Sequence, residues 1–262
     1  TIGLDEGTLV HEGLKSRAVL QSFVKSAKIT AQDSLVLWYP FNELNNSMTV
    51  HDFSGNEVHG LLNSGRLIPG KFSSALHLKP GEQLEVNSEL LSLTSEFTLS
   101  LWAKVLDDGF GVLARNGQFS LQYHDDNTIR GSAITNNGSG EAKARLPSGH
   151  WVHYVVSYDG DIVRLYLDGQ LVSETSQTGY LAWGDGVDHK LYLNRWTTDD
   201  DWKANAVYDD FRIYNRELSD LEIGLLWSMS AGDLGISPLI SGADPFYKVP
   251  SPHKISFVEN NQ

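Results

Sequence analysis

Between Leu35 and Tyr214, apolar and polar residues alternate in short runs that are broken by Gly, Asn and Asp. Alternation with a period of two is the mark of half-buried strands, because successive strand side chains point to opposite faces. In EFTLSLWAKV, Phe97, Leu99, Leu101, Ala103 and Val105 share one face, against Thr98, Ser100, Trp102 and Lys104. HWVHYVVSYDG followed by IVRLYLDGQLV predicts a strand and then a hairpin, with Asp168-Gly169 as its two-residue turn. QFSLQYH, TIRGSAI and KLYLN are further strands. About a dozen such runs with frequent turn signals and no strand-helix alternation predict two packed antiparallel sheets.

The last run, VYDDFRIYNRELSDLEI, is the most informative. Strict alternation puts Asp209, Phe211 and Ile213 on one face and Tyr208, Asp210, Arg212 and Tyr214 on the other. Ser219 followed by Glu222 has capping-box spacing, so a helix is expected to follow, with Leu221, Ile223, Leu225, Leu226 and Trp227 as its apolar surface.

Outside this body the period changes. Residues 9–29 place Val10, Leu14, Ala18, Leu20, Phe23, Val24 and Ala27 at helical intervals, which predicts an amphipathic helix. A lone helix of that length is marginal in water and needs a surface to pack on. Residues 230–262 are rich in Gly, Pro and Ser without a sustained period and read as an extended arm. The expected organisation is a helical arm at 1–33, a β body at 34–229 and a second arm at 230–262. Both arms are expected to dock on neighbouring subunits, which would make the protein oligomeric or particle-bound.

Composition sharpens this picture at three points. The formal net charge of -13, carried almost wholly by the body, argues against binding nucleic acid or anionic membranes. The absence of cysteine excludes disulfides and thiolate metal sites, and it favours an intracellular, bacterial or viral source over a disulfide-stabilised secreted one. No run is apolar for long enough to span a bilayer, and the TIGLDEGTLV start lacks the basic and apolar regions of a signal peptide.

Six segments occur in a set order: LVLWYPFNE (35–43), HDFSGNEVHGLL (51–62), GKFSSALHL (70–78), EFTLSLWAKV, HWVHYVVSYDGDIVRLYLDGQLV and DDFRIYNRELSDLEI. Together they resemble the laminin-G-like branch of the concanavalin A-like lectin and glucanase superfamily over residues 35–227. The resemblance implies an all-β jelly-roll sandwich of two curved antiparallel sheets, with a concave face that binds ligands in many relatives. It also implies a structural Ca2+ on the convex side, held by Asp209 at the start of the last strand and by the early DFSGN loop, where Asp52 and Asn56 have the right chemistry. Asp52 and Asn56 equally suit a turn in which they bond nearby amides.

The superfamily holds lectins, binding modules, glycosidases and lyases, so the residues must decide. Glucanase relatives carry Glu-x-Asp-x-x-Glu, and this chain has no such spacing. A polysaccharide lyase would need a Tyr or His base with Arg and Gln; Gln122, Tyr123, His124, His153 and Arg195 supply the types in no recognised spacing. Hydrolase elbows, phosphate loops and zinc helices are absent from the sequence. The acidic stretch Asp199-Asp200-Asp201 between Trp196 and Trp202 has the chemistry of sugar recognition, in which a ring stacks on indole beside hydrogen-bonding acids. The expected ligand-binding set is Trp183, Arg195, Trp196, Asp199, Asp201 and Trp202, with buried tryptophans and solvated aspartates as the plainer alternative. The functional expectation is a non-catalytic structural or attachment protein on a virion surface, with glycan or host-surface binding. A secreted or cell-surface carbohydrate-binding module is the alternative, and a lyase a weaker one.

Overall fold

In a computed structural model, residues 34–44, 48–184, 189–196 and 204–228 are described. The predicted N-terminal helix and C-terminal arm lie outside them. Two eight-stranded antiparallel sheets face each other. The first runs β14 (Gln170–Ser176), β13 (Ile162–Leu167), β12 (Val152–Tyr158), β7 (Phe97–Val105), β16 (Ala206–Tyr214), β5 (Ser74–Leu78) and β4 (Arg66–Pro69). β1 (Leu35–Tyr39) also pairs with β16. The second runs β11 (Gly138–Arg145), β10 (Thr128–Thr135), β9 (Phe119–His124), β8 (Gly111–Arg115), β15 (Leu191–Leu193), β6 (Leu84–Val86), β3 (Gly60–Leu62) and β2 (Thr49–Val50). This is the two-sheet antiparallel sandwich that the alternating pattern predicts, as the jelly roll implied by the resemblance requires.

The alternation explains the core. Phe97, Leu99, Leu101, Ala103 and Val105 from β7 meet Phe119, Leu121 and Tyr123 from β9 between the sheets. Phe97 and Phe119 stack at 4.8 Å, joining the two layers near their centre. In the 168–169 turn, Asp168 and Gly169 both have positive φ (50° and 77°), as a type I′ hairpin requires.

Strand β16 departs from the predicted alternation. Tyr208, Phe211 and Ile213 enter the inter-sheet core, while Asp209 lies on the outer side with Arg212 and Tyr214. The cause is a β-bulge: Asp209 pairs with Trp102 and Arg212 with Ser100, so Asp210 and Phe211 together oppose Leu101. Asp210 takes the left-handed conformation (φ 48°), which Asp tolerates better than most residues. Its carboxylate accepts from Trp38 Nε1 (2.7 Å) and from Arg212 Nη2 (2.8 Å) and Nε (3.1 Å), all buried. Arg212 also lies 4.8 Å from the Trp38 ring.

β16 leads into α1 (Asp220–Ser228) through the expected capping box. Glu222 Oε2 accepts from the Ser219 amide (2.9 Å), and Ser219 Oγ stands 3.4 Å from the Glu222 amide. Arg216 also pairs with the Glu222 carboxylate. α1 lays Ile223 and Leu226 on Leu35, Trp38, Val155, Tyr166 and Tyr214, a second apolar cluster on the outer face of the first sheet. Among the described residues no helix is long and apolar enough to cross a membrane.

On that outer face His153 is fully enclosed, with Nε2 2.9 Å from Ser100 Oγ and its ring 5.3 Å from Trp102. Burial, and then the Arg212 charge, push its pKa from 6.5 down to about 3. As pH falls below 6.5 the unfolded chain takes up this proton and the folded chain does not, so stability is lost over the window from 6.5 to 3. The slope from this residue is at most about 1.4 kcal/mol per pH unit. Urea unfolding of wild type and His153→Gln between pH 7 and 4 is expected to show a shallower acid decline in the variant; parallel declines would contradict it.

Candidate functional site

The chemistry-bearing residues that the second sheet gathers at one end begin with a short turn after β6. Asn87 leaves the strand, and Ser88 caps a 3-10 turn (Glu89–Leu91) by accepting the Leu90 amide at 3.3 Å. The turn is fastened from beneath by two buried amides of the β8–β9 connection. Asn116 Nδ2 donates to Leu91 O (3.1 Å) while its Oδ1 accepts from the Gln118 and Phe119 amides. Gln118 clasps Leu93 on both sides, with Oε1 accepting the Leu93 amide (2.9 Å) and Nε2 donating to the Leu93 carbonyl (2.6 Å).

The loop after β14 crosses this platform and carries Trp183. Its neighbours are pinned by backbone bonds: Leu181 N to Thr94 O (2.9 Å), Ala182 N to Ile134 O (3.0 Å) and Gly184 N to Gly117 O (3.1 Å). The indole Nε1 donates to Ser92 Oγ (3.2 Å), and His189 stacks on the ring at 4.3 Å and 16°. A cavity of about 320 Å³ results, lined by Asn87, Ser88, Glu89, Ser92, Trp183 and His189. An aromatic ring is thus fixed in orientation and rimmed by carboxylate, amide and hydroxyl groups, the kinds of group that small-molecule sites combine.

The predicted ligand set is divided by this geometry. Trp183 stands beside His189, before β15, while Arg195 and Trp196 follow that strand at its other end. There the Arg115 guanidinium lies 3.5 Å from the centre of the Trp196 ring. Arg195 lies 5.3 Å from the Tyr192 ring and donates to Gln83 Oε1 (3.2 Å). Asp199, Asp201 and Trp202 lie outside the described residues. Asn87, Ser88, Glu89, Ser92 and His189 are site residues that the sequence reading misses. The serine-capped turn was the local signal; its approach to Trp183 is a long-range event that spacing does not encode.

Of the possible lyase bases, His124 shares β9 with Gln122, whereas His153 and Tyr123 are buried and lie on different sheets. His153 belongs to the first sheet, and Tyr123 points into the inter-sheet core from the second, with its hydroxyl on Asp107. Burial, then the bond to Asp107, hold the Tyr123 phenol well above its usual range, the reverse of what a proton-abstracting tyrosinate needs.

The three expected calcium ligands are engaged with the chain itself. Asp52 Oδ1 accepts from the Trp38 and Ser54 amides (both 2.9 Å), and Oδ2 accepts from Ser54 Oγ (2.6 Å) and the Val58 amide (3.1 Å). Asn56 Nδ2 donates to the Leu35 and Val36 carbonyls. Asp209 Oδ2 accepts from the Lys71 and Phe72 amides (2.9 and 3.0 Å), and burial above all pushes its pKa up to about 7. A cation would compete with these donors for the same lone pairs. Among the described residues no group of three His, Asp or Glu side chains is placed to hold a metal ion.

A family model described as the concanavalin A-like lectin/glucanases superfamily matches residues 79–224. Among solved structures, the binding domain of Paraclostridial Mosquitocidal Protein 1 superposes with a TM-score of 0.62 at 17% identity, over 75% of this chain and 52% of that one. The binding domain of botulinum neurotoxin DC in complex with SialylT gives 0.57 at 15% identity, over 76% and 52%. The same domain in complex with rat synaptotagmin II gives 0.57 at 15%, over 75% and 52%. At such identities the likeness is one of fold, and this chain spans about half the length of those chains. A comparison with curated proteins gives no match.

Asn116→Ala is expected to leave the Leu91 carbonyl and two buried amides unpaired, at a cost of about 2–3 kcal/mol. Urea midpoints measure this; an unchanged midpoint would show the platform to be held by other contacts.

Proposed function

We propose that this chain, which belongs to the concanavalin A-like lectin/glucanases superfamily, is a non-catalytic lectin-like domain that recognises a glycan at the Trp183 cavity. The observation that carries the reading is the fixed indole, bonded to Ser92 and backed by His189, in a cavity with polar groups around it. Sugars present an apolar ring face and a rim of hydroxyls, and this lining offers a counterpart to both. The similar toxin domains are binding domains by name, one in complex with SialylT and one with rat synaptotagmin II, and they lend support to a recognition role. A catalytic role has less support: the sequence lacks the glucanase carboxylate spacing, and two possible lyase bases, Tyr123 and His153, are buried. A glycan array probed with wild type and Trp183→Ala is expected to give signals that the variant loses; equal signals would move the site elsewhere, and a blank wild-type array would remove the lectin reading.

The same proposal gives the flanks an attachment role. Residues 1–33 and 230–262 fall outside the family match and outside the described residues. They would join the domain to neighbouring subunits of a larger assembly, on a virion surface in the reading we favour and on an extracellular or cell surface otherwise. Light scattering is expected to find the full chain oligomeric and residues 34–229 monomeric. A monomeric full chain would contradict the attachment role without touching the glycan site.

A further inference from the structure

The cavity carries a charge pattern that narrows its ligand. Among the described residues Glu89 is the carboxylate that lines the cavity, and no Lys or Arg lines it. Among the described residues the Glu89 side chain makes no ion pair, while Lys190, beside His189 in the chain, holds Glu85 at 2.6 Å. The Trp183–His189 stack stands on the same cavity, and the negative face of an aromatic ring attracts a cation within about 6 Å of its centre. Carboxylate and indole therefore favour the same sign of ligand charge, and both disfavour an anionic sugar. Asn87 supplies amide donors and an acceptor to a hydroxylated ring, and Ser92 holds the indole in place.

From this we infer that the Trp183 cavity takes an amino sugar in its free, protonated form, with the ammonium group held by Glu89 against the Trp183–His189 pair. The inference rests on the glycan-binding reading and adds the substrate class. N-acetylation removes the charge and two of the three N–H donors, so the acetylated sugar loses the ion pair with Glu89 and keeps ring stacking, hydroxyl contacts and one amide N–H. Acidic sugars meet an uncompensated carboxylate, so a sialylated ligand of the kind named for one similar toxin domain is not expected to bind here.

The test uses the full chain, measures binding by isothermal titration calorimetry in every variant, and uses the Trp183 Nε1–H NMR signal to locate it in wild type and Glu89→Gln. The probes are a glucosamine tetramer, its N-acetylated counterpart and sialyllactose. The glucosamine oligomer is expected to bind about tenfold tighter than the acetylated one, with sialyllactose weaker than both. Glu89→Gln, an exposed change that leaves the indole in place, should abolish that preference, and Trp183→Ala should abolish binding of every probe. A preference that survives Glu89→Gln would overturn the inference. So would acetylated or sialylated probes binding as tightly as the amine; if Trp183→Ala still removed their binding, the glycan-binding reading would stand without the amino sugar. If no probe bound and the glycan array were also blank, both would fall together.

Discussion

The sandwich depends on one strand having three partners. β16 must pair along one side with β7, and along the other with β5 for its first half and β1 for its second. The change of partner is possible because the bulge at Asp210 lets Tyr208 and Phe211 both face inward. The two aspartates are thereby left at the junction between β5 and β1. Each is placed to bond one neighbour: Asp209 takes the amides of the turn before β5, and Asp210 takes the indole of Trp38 in β1. Burying two adjacent carboxylates is costly unless their lone pairs are filled. Arg212 and the backbone amides fill them, so the junction is held by polar bonds enclosed in apolar packing.

The second sheet uses the same device with neutral groups. Asn116 and Gln118 are as buried as any core leucine, yet every polar atom of theirs reaches the 89–93 segment or the local backbone. Loops that carry recognition residues are usually the looser parts of a domain. Here the loop bearing Trp183 and the turn bearing Glu89 rest on one amide platform, so their relative position is a property of the core. The recognition proposed there would then call for little reordering of Trp183 and the 89–93 segment on binding, which is where affinity in small sites is most easily lost.

Much of this was legible in the chain. The alternation in β7 and β9, the Asp-Gly hairpin and the Ser219–Glu222 box each act over a few residues, and each is found where the pattern puts it. The bulge was not legible, because alternation carries on through Asp209-Asp210 on paper and only φ at Asp210 breaks it. The sequence reading names Trp183, which lines the candidate cavity, but not the residues that line it with Trp183. Arg195 and Trp196 are its neighbours in sequence, but β15 carries them to the far end of a strand. Asn87, Ser88 and Glu89 sit nearly a hundred positions away and arrive through the pairing of β6 with β15. Site composition in a sheet protein is a matter of strand order, which local chemistry does not encode.

The pairing of the first strand of the body with the last has a consequence for whatever carries it. The Asn215 amide donates to the Ser34 carbonyl at 3.0 Å, so the chain enters and leaves the sandwich at adjacent points. α1 then adds only about 13 Å of travel before Ser228. A body with its two ends this close, if joined to a host at both, would hang as a side lobe instead of forming a link in series. It can be gained, lost or exchanged with little change to the span of the chain that bears it.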